Sequence, residues 1–501
     1  MLVLALDPQR GEPLFKQVAS RIRELVDGGS LRGGDILPPT RILAGQLGVS
    51  RSTVCRAYEE LWALGYLDSR SGSYSRVRNR RRPIDLPAEP PLQEIDWAEY
   101  MSPASAGICT SPYPEILMPC PQDDGAIDFT ILSLDPRLFP MADLRHCARR
   151  ALSDERAPDL NYGLRHGYPP LREYLARQLR RYGITASAQE ILITNGSMHG
   201  MELLTRFFVA PGDTVLVESP TYGFILPVLH FHGARVESVP VKADGPDLDA
   251  LAARLRRRRA KFVYMMPTFQ NPTGVTMSQL QRERLLGLCE KYRVPLLEDG
   301  FSEDITYFDK VVQPVKSMDR HGLVFFLGTF SKTLMPGLRI GWIAAERSAI
   351  DRLATLKMYS DLTTSAPTQL ILYEMGRQGI IDRHMAHINR IYARRMRALI
   401  AGLTQHLPAG VLWNKPKGGY LVWLRLPCQR SRAAELRERV ARDTARHGVR
   451  VMAGDLFFPG RPPADLCLRL SISLHDESEI TEGCRRLGAA LHESLVGFPV
   501  R

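Results

Sequence analysis

No run of roughly 18 apolar residues occurs anywhere in the chain, so no membrane-spanning helix is expected. The short apolar start at 2–6 stops at Asp7 and Pro8 and follows no basic stretch, which excludes a signal-peptide reading. Cysteine is sparse, eight in 501 residues, and no two form a CxxC pair. A disulfide framework and a zinc site are therefore not expected, and a reducing cytoplasm is the expected compartment. His384 and His387 lack partners at ligand spacing, so no metal is assigned. Internal repeats are also missing.

What remains is globular: 44% hydrophobic and 24% charged, in a chain too long for one ordinary core. Two or more domains are expected. The net charge of +12 is uneven, because residues 1–82 hold 14 Lys and Arg against 8 Asp and Glu. That sixth of the chain carries half the excess, as expected of a part that meets a polyanion. Three textures follow one another. Residues 1–78 show short helical patterns with glycine turns. Residues 79–125 are proline-rich without periodicity and are expected to form a linker. From 126 to 501 apolar runs alternate with helical patterns, as in a layered α/β domain. Candidate strands are 190–194, 214–218, 261–266, 294–298, 323–328 and 339–345. The arginine run 256–259 is taken as a solvated helix end.

In the first region Val18, Ile22, Leu25 and Val26 share a helix face that ends at Gly28 and Gly29. A second helix opens at 37–40, with Thr40 as its expected cap and Leu43, Ala44 and Leu47 inward. Ser50 is the expected cap of a third helix, whose buried stripe is Val54, Ala57, Tyr58, Leu61 and Leu64. Arg51, Ser52 and Thr53 are left polar and exposed in its first turn, where free N–H groups and the helix dipole suit a phosphate. A hairpin with its tip at Ser71, Gly72 and Ser73 follows.

The string LPPTRILAGQLGVSRSTVCRAYEELWALGYLDSRSGS, 37–73, resembles the GntR-type winged helix. The resemblance implies double-stranded DNA as partner, with Arg41, Arg51, Ser52 and Thr53 at the DNA and Gly72 at the wing tip. Cys55 stands where many members carry a basic contact residue, and Arg56 is its expected replacement.

In the third region several motifs sit after strands. Lys332 lies in GTFSKTLMPGLRIGW, 328–342, directly behind an apolar run; burial there lowers an amine's pKa and makes it nucleophilic. Ser331 and Arg339 flank it. TNGSMH at 194–199 opens a helix with small residues, a turn whose amides can surround a phosphate. Tyr222 follows ESP, Asn271 stands in PTFQNPTG at 267–274, and Asp299 ends a fourth strand. All these places are strand C-terminal ends, where open α/β sheets bind ligands.

In this order the motifs resemble fold-type-I pyridoxal-phosphate enzymes, the aspartate aminotransferase group. The resemblance implies pyridoxal 5′-phosphate as cofactor, Lys332 as its Schiff-base lysine and Asp299 against the pyridine nitrogen. Asn271 would bind the ring hydroxyl, Tyr222 would stack on the ring, and Gly196, Ser197, Met198, Ser331 and Arg339 would hold the phosphate. Arg469, in CLRLS at 467–471, would grip a ligand carboxylate. Tyr162 would reach the cofactor of a second subunit, which implies a homodimer. Phe301 stands where the family usually has a tyrosine that bonds the ring oxygen. After Asp128 and Phe129 the chain runs TILSLD, where members tend to have glycine and proline.

A GntR-type head, a linker and an aminotransferase-like domain together are the arrangement of the MocR regulators. The expected fold is thus multidomain: a mainly α winged helix plus an α/β fold-type-I transferase domain. Two functions stay open. One is a DNA-binding transcription regulator that senses an amino acid, an amine or the cofactor itself. The other is an active aminotransferase that carries a DNA-binding head.

Overall fold

The computed structural model describes residues 4–7, 11–68, 74–79, 95–109, 125–257, 259–308 and 312–498. The chain divides into two compact units, Met1–Glu99 and Tyr100–Arg501.

In the first unit helix α1, Leu14–Asp27, buries Val18, Ala19 and Ile22. Helix α2, Thr40–Leu47, begins differently from expectation. Pro39 takes the capping position, no side chain caps the helix, and Thr40 is its first helical residue. Two consecutive prolines hold the entry extended up to Pro39, and the chain turns helical one residue earlier than a threonine cap requires. Gly48, at φ +63°, ends α2. Helix α3 is Arg51–Ala63, and the Ser50 hydroxyl caps it by accepting from the Thr53 N–H. Val54, Ala57, Tyr58 and Leu61 are buried in α3, whereas Leu64 lies beyond the last turn and is exposed. The Tyr58 hydroxyl donates to the Pro38 carbonyl at 2.8 Å and ties α3 to the entry of α2. Strands β1, Leu67–Asp68, and β2, Arg76–Val77, pair antiparallel as the base of the wing. The expected wing tip with Gly72 lies outside the described residues.

Within the expected linker a 3₁₀ turn at Trp97–Tyr100 closes the first unit, and a helix at Pro103–Cys109 lies in the second. Strand β3, Ile127–Asp128, follows. Strands β4, Ile191–Thr194; β5, Thr214–Ser219; β6, Arg235–Lys242; β7, Gly245–Pro246; β8, Val263–Met265; β9, Leu296–Asp299; β10, Val324–Thr329; and β11, Gly341–Ala344, form one sheet. Their order is β4-β11-β10-β9-β8-β5-β6-β7. β11 runs antiparallel to β10 and β4, and β7 to β6; the other pairs are parallel. Strands β4, β5, β8, β9 and β10 are buried almost throughout, as a sheet covered on both faces by helices requires. β6 was not expected from sequence; its inward residues alternate with polar ones at a sheet margin, which weakens the apolar signal.

A second, antiparallel sheet is built from β12, Leu412–Trp413; β13, Leu421–Leu426; β15, Met452–Ala453; and β16, Leu466–Ser471, in the order β12-β13-β16-β15. Strand β14, Val449–Arg450, pairs parallel with β3. One contiguous apolar core joins both sheets through Leu192, Leu297, Leu327, Leu424 and Leu470. Among the described residues no helix is long and apolar enough to cross a membrane.

Candidate functional sites

In the first unit the exposed start of α3 presents Arg51 and Ser52, with Thr53 half-buried, and Arg41 is exposed at the start of α2. The Ser50 hydroxyl lies 2.8 Å from the hydroxyls of both Ser52 and Thr53. Both hydroxyls thus share in the helix cap while Ser52 stays exposed. Arg56, the expected replacement for the basic residue missing at Cys55, is exposed and places its guanidinium 4.2 Å from the Phe15 ring on α1.

In the second unit the sheet sets the site. β4, β5, β8, β9 and β10 all point their C-terminal ends to one edge, and antiparallel β11 begins there. From β10 comes Lys332, half-buried, whose amine donates to the Leu132 carbonyl at 2.6 Å. Burial, reinforced by the charges of Arg469 and Arg339, pulls the Lys332 pKa from 10.5 to about 8. From β9 comes Asp299, buried, which accepts from the Tyr264 hydroxyl at 2.7 Å and from the Phe301 N–H at 3.1 Å. Burial raises its pKa to about 6, against the pull of those two hydrogen bonds. The Phe301 ring itself is buried in the core.

β4 leads through Gly196, at φ +83°, into the helix Ser197–Phe208, whose first-turn amides have no partner within the helix. The turn is held by Asn195, which donates to Asp361 at 2.7 Å, and Asp361 in turn pairs with the buried Lys357. Arg339, in the left-handed region at φ +51°, brings its guanidinium to the Asn195 carbonyl at 3.3 Å and to the Ser331 hydroxyl at 3.5 Å. A Cβ on Gly196 would stand 2.6 Å from the Arg339 guanidinium, so glycine is what lets backbone and arginine share one cradle. Beyond β5 the Tyr222 hydroxyl reaches the Met198 sulfur at 3.8 Å, and burial pushes the phenol pKa up. Beyond β8 stands Asn271, buried, whose side-chain oxygen accepts from Arg469 at 3.3 Å. Arg469, on β16, also donates to the Thr130 carbonyl at 2.7 Å and lies over the Phe457 ring. Its Nε has no partner, and burial lowers its pKa to about 10.

The residues named from sequence at 196, 197, 198, 222, 271, 299, 331, 332, 339 and 469 therefore meet at one sheet edge. Tyr162 stands outside this cluster. It is 81% exposed and lines a cavity of about 710 Å³ with Leu164, His166, Met358 and Leu362. Sequence reasoning missed Tyr264, Tyr420 and the carbonyls of residues 130–132. Tyr264 lies inside an apolar run, where a tyrosine ordinarily signals core. Tyr420 donates to the Lys332 backbone carbonyl at 2.6 Å from the bend before β13, and no local pattern marks it.

This arrangement fits a phosphorylated pyridine aldehyde. Main-chain amides at a helix start, a hydroxyl and a guanidinium face one cradle, a buried carboxylate suits a ring nitrogen, and a half-neutral amine suits a carbonyl carbon. Arg469 keeps an unpartnered buried N–H in the same place. Among the described residues no group of three or more His, Cys, Asp or Glu side chains is arranged to hold a metal ion.

Two family patterns match the chain. Aminotransferase class I and II covers residues 136–487, and the gntR family of bacterial regulatory proteins covers 14–77. The aromatic-amino-acid aminotransferase 1 of Thermococcus litoralis is 34% identical over 412 residues, 80% of this chain and 96% of that protein. The uncharacterized HTH-type transcriptional regulator YdfD of Bacillus subtilis is 30% identical over 417 residues, 83% of this chain and 84% of that one. The crystal structure of LysN, the alpha-aminoadipate aminotransferase of Thermus thermophilus, complexed with N-(5′-phosphopyridoxyl)-L-leucine, superposes with a TM-score of 0.73. It is 31% identical and covers 80% of this chain and 100% of its own.

Proposed function

The chain belongs to the aminotransferase class I and II family, joined to a GntR-type head as in the MocR regulators, and we propose that this regulator responds to an amino acid or amine at its pyridoxal-phosphate site. The cofactor, when bound, supplies an aldehyde that condenses with primary amines. The chain's own residues do the rest. Gly196, Ser197 and Met198 offer amides to the phosphate, and Ser331 and Arg339 close its cradle. Asp299 holds a proton on the ring nitrogen, Asn271 donates to the ring oxygen, and Tyr222 covers the ring. Lys332 provides the amine, a large part of it unprotonated near pH 8. Arg469 takes the carboxylate of an amino acid, its remaining N–H groups free for charge-assisted hydrogen bonds. The observation that carries this reading is the convergence of Lys332, Asp299 and Arg469 on one sheet edge, each with its pKa moved toward the neutral form by burial.

The protein is further proposed to work in the cytoplasm as a homodimer, with Tyr162 of each subunit completing the other's site, and to bind a double-stranded operator of two half-sites. Arg41 and Arg51 contact phosphates there, and Ser52 and Thr53 lie at the groove. Phe301 favours a sensor over an efficient catalyst, because it offers no hydroxyl to the ring oxygen. A visible absorbance spectrum of the full chain, titrated with pyridoxal phosphate and then with amino acids and amines, tests the reading. A cofactor band that shifts with one ligand class is expected, with a borohydride-reducible link that Lys332→Ala abolishes. No binding at saturating cofactor would overturn it, and multiple turnovers at about 1 s⁻¹ or faster would favour the working aminotransferase.

A further inference from the structure

Three successive backbone carbonyls cross the site, and each is taken by a side chain. The Thr130 carbonyl accepts from Arg469 at 2.7 Å, that of Ile131 from the Ser473 hydroxyl at 2.8 Å, and that of Leu132 from the Lys332 amine at 2.6 Å. The two outer donors are both cations of the site. The segment is the one whose sequence, TILSLD, departs from the glycine and proline of the resembling family.

The segment is firmly held at its ends and lightly in the middle. Upstream, the Phe129 N–H donates to the Arg450 carbonyl, and the Ser471 N–H donates to the Phe129 carbonyl, each at 2.9 Å. Downstream, the buried Asp135 carboxylate receives Arg395 at 2.6 Å and Arg137 at 3.0 Å. Between these anchors, Ile131, Leu132 and Ser133 are only half-buried. What fixes them is the three carbonyl contacts, the packing of Leu132 against the core and the Ser133 N–H, which donates to the Ser473 hydroxyl at 3.1 Å.

We propose that residues 130–132 form a displaceable strap, whose carbonyls compete with a ligand carboxylate for Arg469 and with the cofactor for the Lys332 amine. Resting on the cofactor-site reading above, this names how the site is regulated. A carboxylate that takes the two Nη groups of Arg469 in parallel meets the groups that now reach Asn271 and the Thr130 carbonyl, and an anion is the stronger acceptor. A ligand with an amine but no carboxylate leaves that contact intact. Amino acids therefore move the strap, and simple amines do not. Upstream the strap runs directly into β3 and from there to Gly125, the edge of the proline-rich segment that leads to the DNA-binding head.

Amide hydrogen exchange on the full chain tests this with two probes, N-(5′-phosphopyridoxyl)-L-leucine and pyridoxamine 5′-phosphate, which differ in bearing an amino acid carboxylate. With the leucine conjugate the Ser133 amide is expected to exchange about fivefold faster than with pyridoxamine phosphate, the weight of one hydrogen bond. Ser473→Ala, which frees the middle of the strap, is expected to bind the conjugate about fivefold tighter and pyridoxamine phosphate unchanged. Equal exchange with both probes bound, in a wild type that also gains nothing from Ser473→Ala, overturns the strap and leaves the cofactor site standing. Failure of both probes to bind overturns the cofactor-site reading, and the strap with it.

Discussion

Asp299 and Lys332 share apolar surroundings that push both toward neutrality, the acid to a pKa of about 6 and the amine to about 8. For the acid this carries a stability consequence. A carboxyl bound more tightly to its proton in the folded chain stabilises the fold fully below 3.8, and that contribution is lost as pH rises past about 6. At neutral pH the buried charge costs roughly 3 kcal/mol at ~1.4 kcal/mol per pH unit. Asp299→Asn keeps partners for Tyr264 and for the Phe301 N–H, so it is expected to raise the melting temperature of the cofactor-free chain by a few degrees at pH 7. The gain should vanish at pH 4. The same substitution should weaken pyridoxal-phosphate binding at every pH, because nothing then holds the ring proton. Calorimetry with and without cofactor separates the two effects, and an unchanged cofactor affinity would remove Asp299 from its assigned role. Asp299 and Lys332 were legible because each ends an apolar run. Tyr264, which tunes Asp299 from the adjacent strand, was not, since its role exists only where β8 lies beside β9.

At the scale of the element, α3 shows how far local chemistry reaches. Ser50 was identifiable as a cap because serine before a helical run supplies an acceptor for an orphan N–H, and the Thr53 N–H takes it at 3.2 Å. Thr40 failed the same rule, because Pro38 and Pro39 fix the chain ahead of it. Ser50→Ala should destabilise the head by about 1 kcal/mol. It should also loosen Ser52 and Thr53, whose hydroxyls share the Ser50 oxygen, and so blur discrimination among operators. Arg51→Ala, by contrast, should leave stability unchanged and reduce the slope of log affinity against log salt by about 1, the loss of one phosphate contact. Denaturation of the full chain followed by binding titrations across salt concentrations distinguishes them. An unaltered salt slope in Arg51→Ala would move the contact elsewhere.

For the whole molecule, the exposed apolar residues Tyr162, Leu164 and Leu362 gather at the cavity of about 710 Å³ in the second unit. A face of that kind on a single chain is what a second copy would cover. Leu164→Asp is expected to shift the protein from dimer to monomer in sedimentation, and to lower operator affinity at least tenfold by separating the two heads. Wild-type protein sedimenting as a monomer, or bound equally well to one half-site as to two, contradicts the dimeric reading.

The sequence alone carried the order of parts and the identity of the chemical groups: a helical head, a proline-rich stretch, an alternating α/β region, and polar residues stranded at the ends of apolar runs. These were readable because capping, periodicity and strand-end motifs are local, acting over a few residues. What tertiary structure decided was every relation between distant segments. Arg469 meets Asn271 and Thr130, Lys332 meets Leu132, and Tyr420 holds the Lys332 backbone, each across at least 88 positions in the chain. Such contacts follow from strand order and from the packing of one sheet against another. No residue's neighbours in sequence specify them, and the strap at 130–132 became visible only when the carbonyls of an ordinary segment were seen to lie against Lys332 and Arg469.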